Sequence, residues 1–258
     1  HLISYEFIQG ELLSEKKDIK FIDILLNYFD KQTNINELKF NRQSFEKDCY
    51  SMWFKKLEDR LKTIDDSIYE LDKFEKINGI EVGKLNDLLC EINNKEFLKR
   101  CIPCIFHGDP SPENVIFDNS NSLRLIDPRP IFGKNDEIGD LFYELSKVDH
   151  ALIISGRIIR KDKYGYKLTN KSEAQIWIEE IPEFNLFRKR LYQFCFEKGW
   201  SLFQLSLCNA LTLLSICSVH TNKKYNKFLF LAGKYLLKNI LNLRSDNQNK
   251  IEPIRIKF

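Results

Sequence analysis

The sequence predicts a mainly α-helical α+β protein with a small β insert near its centre. Three observations carry that expectation. Apolar residues recur at helical spacing through most of the first hundred and the last eighty positions. Short strand-like runs cluster between about 101 and 128. The unusual polar residues fall on that non-helical island rather than on the helices, and loop-borne polar residues on a helical scaffold are a functional pointer. The chain has 258 residues, 43% of them apolar and 30% charged, which is enough for a sizeable core and reads as globular.

Taken in order, "HLISYEFIQGELLSEK" begins as a short strand ended by Gly10, with Ser14 and Glu15 opening a helix. Residues 15–30 place Ile19, Ile22, Leu25, Leu26 and Phe29 at helical spacing. Residues 42–63 and 65–77 read as further amphipathic helices, "NGIEVG" as a loop, and 84–98 as a helix leading into the strand "IPCIF". Two short strands, 114–118 and 123–127, flank the turn "NSNS". A helix is expected from about Ile138 to Ile154, then a basic, strand-rich excursion over 157–180. Helices near 183–198, 201–219 and 224–242 follow, and a tail expected to be loose or to dock as an edge strand.

Bulk properties exclude several classes. Forty basic and 37 acidic residues give a net charge of +3, too balanced to argue for a nucleic-acid partner. The longest apolar candidate, Leu205 to Val219, falls short of the ~20 residues that span a bilayer and is interrupted by Ser206, Asn209, Thr212 and Ser215. Seven cysteines, scattered and odd in number, read as reduced buried thiols of a cytoplasmic protein, and the lone Cys101-x-x-Cys104 has no second pair to make a zinc site. In the excursion, Arg157, Arg160, Lys161, Lys163, Lys167 and Lys171 read first as a solvated hairpin, with a surface for an anionic substrate as the functional alternative. His150 reads as structural rather than catalytic, and His220 as structural with a substrate-pocket role as the alternative.

The chemistry concentrates in "FHGDPSPENVIFD" and "LIDPRP". If the two central strands pair across "NSNS", Asp118 faces Leu123 and Asn114 faces Asp127, bringing a carboxamide and a carboxylate together beside Asp109. Oxygen donors of this kind suit Mg²⁺, which binds few protein groups and keeps positions for phosphate oxygens. Asp109 is left free to orient or deprotonate a hydroxyl. The D-x4-N spacing followed by a further Asp is the pattern of phosphoryl transfer.

These residues resemble the aminoglycoside phosphotransferase/choline kinase family, whose motif is H-G-D-x4-N followed by two hydrophobic residues and Asp. The segment "FGKNDEIGDLFYELSKVDHAL" is similar to a branch linked to bacterial surface-polysaccharide (capsular) biosynthesis, and "SICSVHTNKKYNKFLFLAGKYLL" resembles that branch's closing helices more weakly. The detailed match covers 106–151. Pro130, Glu144 and Ser146 depart from the branch pattern, as do Pro110 and Pro112 in the loop.

The resemblance implies the C-terminal lobe of a protein-kinase-like fold with a small catalytic hairpin. Asp109 would be the catalytic carboxylate, Asn114 and Asp127 the Mg²⁺ ligands, and Arg129 a contact to phosphate or an anionic substrate. His107 would brace the loop, and Asp140 would cap or clamp it from the following helix. Residues 1–10 would be the interlobe hinge, with Tyr5, Glu6, Phe7 and Ile8 against adenine. The cofactors implied are ATP or another nucleoside triphosphate and Mg²⁺, and the partners a small-molecule acceptor and the protein's own N-terminal lobe. No G-x-G occurs among the ten glycines, so the chain is expected to be a lobe cut at the hinge, with little kinase activity by itself. The expected reaction moves a γ-phosphate to a hydroxyl of a sugar, polyol or amino alcohol. The alternative is a degenerate kinase-fold binding module in a polysaccharide assembly system.

Overall fold

The computed structural model describes residues 7–169, 172–243 and 251–256. The α+β class expected from the sequence is the one observed, with helices dominating and three small sheets. Helix α1 (Lys20–Gln32) is preceded by strand β1 (Gly10–Leu12) and a single 3-10 turn (Leu13–Glu15). Gly10 thus opens a strand instead of ending one, and the α-helix begins five residues later than expected. Phe21, Ile22, Leu25, Leu26 and Phe29 of α1 are buried, whereas Ile19 is exposed.

Helices α2 (Arg42–Tyr50) and α3 (Lys56–Lys62) join through a π-helical turn (Ser51–Lys55), so 42–63 runs on as one rod. The 65–77 segment is broken into α4 (Asp66–Tyr69), a 3-10 turn and strand β2 (Lys76–Ile77). "NGIEVG" contributes strand β3 (Ile80–Glu81) rather than only a loop, and 84–98 splits into α5 (Leu85–Cys90) and α6 (Asn94–Arg100). Asn41 and Asn93 set two of these starts by accepting backbone N–H groups of the first turn, at 2.9 and 3.1 Å.

Strand β4 (Pro103–Ile105) pairs antiparallel with β7 (Ile138–Asp140). The helix expected from Ile138 therefore starts three residues later, as α7 (Leu141–Ile153), because Ile138–Asp140 satisfies its backbone across the sheet first. The hairpin β5 (Val115–Asp118) and β6 (Leu123–Leu125) forms a three-stranded sheet with β1, in the order β1-β5-β6.

In the 157–180 region, α8 (Gly156–Arg160) precedes β8 (Tyr164–Leu168) and β9 (Glu173–Ile178), which form a sheet in the order β3-β2-β9-β8. Its charges find local partners, Lys163 with Glu179 and Asp162 with Lys224, as a solvated face would. Lys171 lies outside the described residues.

The closing helices are α9 (Pro182–Glu197), α10 (Leu202–Ile216) and α11 (Lys223–Asn242). Helix α10 is buried nearly all round and packs against both α7 and α11. Gly233 permits the close crossing of α11, since a Cβ there would press on Leu214 at 2.6 Å. Two buried ion pairs pin the bundle. Lys234 Nζ reaches Asp72 Oδ1 at 2.7 Å, and Arg188 Nε reaches Asp149 Oδ1 at 2.6 Å. Asp149 also accepts from Asn209 and Tyr192. The 251–256 tail docks without forming a strand: Ile251 and Ile256 are buried, and the Ile254 carbonyl accepts from Arg188. Among the described residues, no helix is long and apolar enough to cross a membrane.

Candidate phosphotransfer site

The hairpin register differs by one residue from the expected one. Val115 lies opposite Leu125 and Phe117 opposite Leu123, and Ile126 N donates to the Asn114 carbonyl at 3.0 Å. Asn114 is thus level with Ile126, not Asp127. The cause is the turn. Asp118 closes it against Ser122, and Asn121 takes a left-handed conformation (φ 60°), so only three residues form the loop. The Asp118 side chain holds this shape by accepting from Ser120 N and Ser122 N.

A one-residue slip would ordinarily swing Asp127 to the opposite face. Asp127 itself has φ 57°, a conformation uncommon for a residue with a Cβ. The backbone therefore leaves the pleat at Asp127, and strand alternation no longer fixes where its side chain points. Strain of this kind is a hallmark of functional positions. Its carboxylate is exposed, with no hydrogen bond or ion pair among the described residues.

The loop before the hairpin is tied down at several points. Gly108 has φ 88°, and a Cβ there would collide with the Phe106 ring and the Arg129 side chain. The Asp109 N–H donates to His107 Nδ1 at 3.3 Å, and the His107 carbonyl accepts from Arg129 N at 2.8 Å. His107 is buried, and burial pulls its pKa down. Its Nε2 has no hydrogen bond of ordinary geometry, although the Ile126 carbonyl lies near enough to favour a proton there. The Asn114 Nδ2 donates to the Asp109 carbonyl at 2.9 Å, which orients the carboxamide and leaves Oδ1 free.

Glu144, read from the sequence only as a departure from the branch pattern, is the residue that clamps this loop. Its oxygens accept from Gly108 N at 2.8 Å and His107 N at 3.3 Å. It is fully buried, and burial pushes its pKa up to about 8 against those hydrogen bonds. Asp140 does not reach the loop. It caps α7 through Phe142 N and braces Ile102 N and Trp53 Nε1, at 3.3, 3.1 and 2.8 Å. Burial raises its pKa to about 6.

Asp109 sits between two cations, Arg129 Nη2 at 2.5 Å and Lys147 Nζ at 3.7 Å. Burial acts to raise its pKa, and Lys147 and Arg129 more than offset this, so the carboxyl stays ionised below the usual range. Arg129 was expected to face phosphate or an anionic substrate, and here it holds Asp109. Lys147 is a further neighbour of the site that the sequence did not single out. Of the adenine-side residues, Tyr5 and Glu6 lie outside the described residues. Phe7 and Ile8 have no regular structure, and Phe7 is 88% exposed.

Cys101 and Cys104 form no site with one another. Cys101 lies with Cys49 and Asp140, all buried. A Cys49 hydrogen bond and then burial raise the Cys101 thiol far above its ordinary range, and burial, followed by the Glu144 and Asp140 charges, does the same to Cys104.

No family model matches the chain, and no curated protein is found similar to it. Among solved structures, a choline kinase from Cryptosporidium parvum Iowa II is similar at 11% identity. The match covers 93% of this chain and 68% of that one, with a TM-score of 0.40. At that level the likeness transfers neither substrate nor mechanism to this chain.

Proposed function

We propose that the chain carries the catalytic centre of a nucleotide- and Mg²⁺-dependent phosphotransferase acting on a hydroxyl of a small molecule. One observation carries the reading. An ionised, largely buried Asp109 is tied to Asn114 through the Asn114 Nδ2 hydrogen bond to its carbonyl, and Asn114 and Asp127 stand at the open ends of the two strands of one hairpin. The donor set fits a hard cation: one carboxamide oxygen and one carboxylate, both without a protein partner among the described residues. Asn114 and Asp127 would hold Mg²⁺, which when bound would neutralise charge on the phosphates of the nucleotide.

Asp109 orients the acceptor hydroxyl and takes its proton as the bond from oxygen to the γ-phosphorus forms. The bond from that phosphorus to its bridging oxygen breaks, and the nucleoside diphosphate leaves. A carboxyl with a lowered pKa is a weak base, so its contribution is mainly position and negative charge, with proton uptake late. Arg129 is placed to exchange its contact with Asp109 for phosphate oxygens. Glu144, His107 and Gly108 set the loop. Capsular or other surface-polysaccharide synthesis is the setting that the sequence resemblance suggests.

The test uses Asp109→Asn and Asp127→Ala in the protein that carries this chain, with nucleoside-diphosphate release and calorimetric titration with Mg-AMPPNP. Asp109→Asn should lower turnover by about 10²–10⁴-fold while leaving nucleotide affinity within a few-fold. Asp127→Ala should weaken Mg-AMPPNP binding itself. Near-wild-type turnover in Asp109→Asn would refute the assignment. Nucleotide binding without turnover in the unsubstituted protein would point to a binding module.

A further inference from the structure

Cations gather beside Asp109 on α7 and α3. Lys147 contacts Asp109 from α7. Beyond it, Lys56 and Arg60 on α3 are both half-buried. Lys56 Nζ rests 3.3 Å from Tyr143 Oη, and Lys56 and Lys147 both lie against the Tyr143 ring. Arg60 Nη1 is fixed by the Ser215 carbonyl and hydroxyl, at 3.0 and 2.8 Å. Neither Lys56 nor Arg60 has a carboxylate within ion-pair distance among the described residues.

These groups, with Trp53 and Thr212, line a narrow cleft of about 20 Å³ between α3, α7 and α10. Met52, Lys56 and Arg60 also border an open groove of about 380 Å³, where the one acid, Asp59, already faces Lys55 at 3.9 Å. Arg129 and Lys147 contact Asp109 directly, and its charge also reaches Lys56. Burial, then Arg60, Lys147 and Arg129, pull Lys56 down to about 8. His220, which also feels Arg60 and Lys147, is pushed toward its neutral form, first by burial. Partly desolvated cations without counter-ions are costly, and a protein keeps them where a ligand supplies the missing charge.

We propose that the acceptor is itself an anion: a phosphorylated or carboxylated polyol or sugar whose charged group lies on Lys56 and Arg60 while its hydroxyl meets Asp109. This rests on the phosphotransferase reading for the role of Asp109. The two readings separate geometrically, because Asn114 and Asp127 lie on the hairpin whereas Lys56 and Arg60 lie on α3.

The test is calorimetric titration of the protein that carries this chain with glycerol 3-phosphate, D-glycerate, glycerol and choline, at low and high salt. At least one of the two anions should bind ten or more times more tightly than glycerol and choline, and lose affinity as salt rises. Which anion binds decides between phosphate and carboxylate. Lys56→Gln should reduce that binding about tenfold, Lys56→Arg should largely keep it, and Lys55→Gln should not change it. Equal or stronger binding of choline or glycerol, no binding of any of the four, or anion binding indifferent to Lys56→Gln overturns the proposal. Failure of Asp127→Ala to affect Mg-AMPPNP in the complete protein would instead sink the phosphotransferase reading and leave the anion cleft standing.

Discussion

Glu144→Gln should reverse the sign of its effect on stability between pH 5 and pH 8.5. The side chain is buried and accepts from two backbone N–H groups of the site loop, at 2.8 Å from Gly108 and 3.3 Å from His107. Gln can offer only one oxygen, and its amide nitrogen turns a donor toward the other N–H. One lost buried hydrogen bond costs about 1–3 kcal/mol. Against this stands the charge. The carboxyl's pKa rises from an ordinary 4.5 to about 8 on folding, because burial disfavours the ion. Between those values the folded chain holds a proton that the unfolded chain has released, so Glu144's contribution is complete at low pH and falls as pH climbs through 8. Each unit in that window removes at most about 1.4 kcal/mol, or about 4 kcal/mol over three units. At pH 5 the wild type should therefore be the more stable by about 1–3 kcal/mol, and at pH 8.5 Glu144→Gln should equal or exceed it. Urea denaturation at pH 5, 6, 7 and 8.5 measures the crossing. A difference between the two proteins that stays constant with pH would show that Glu144 does not change protonation on folding.

Gly108→Ala should destabilise by at least about 2 kcal/mol in urea denaturation, since the left-handed backbone alone costs an L-residue about 1–2 and the new Cβ meets Phe106 and Arg129. Arg188→Met should lower stability by about 3–5 kcal/mol, because it strands the Asp149 carboxylate in the core, and the thermal midpoint reads this directly. Asn121→Val should cost about 1–2 kcal/mol by forcing a β-branched residue to φ 60°, while Asn121→Gly should be tolerated within about 0.5 kcal/mol. Comparison of the two in urea separates turn strain from any loss of side-chain contact.

The helices were legible because burial and periodicity are the same fact seen twice: four of the five apolar residues that marked α1 in the sequence are in the core. The failures at 84–98 and at Ile138 have one cause. The elements in both places are only three to seven residues long, too short for a period to be counted; a distant strand partner decides Ile138–Asp140, and the Asn93 cap breaks 84–98 into two helices. The juxtaposition of Asp109 and Asn114 was legible through spacing, which survives a register error. Glu144 was not, since its partners are backbone groups 36 and 37 residues away, and backbone N–H groups leave no trace in composition.

The cationic cleft was hidden for a different reason, and that reason bears on how the site is specified. Lys56, Arg60 and Lys147 each look like an ordinary solvated charge on its own helix. Only the packing of α7 and α3 against α10 turns them toward one volume, and the buried Asp149 pair and the Ser146–Thr212 hydrogen bond fix α7 in that rotation. The loop that holds Asp109 is positioned separately, by Glu144 from the first turn of the same helix. Helix α7 thus sets two things at once: the loop that would orient a hydroxyl and the Lys147 that contacts its carboxylate. A rotation of α7 by one residue would move Glu144 off the Gly108 N–H and Lys147 off Asp109 together. The Asp109 loop and the lysine that contacts its carboxylate are therefore tied to one rigid element, which is what a site with a short-range geometric tolerance requires.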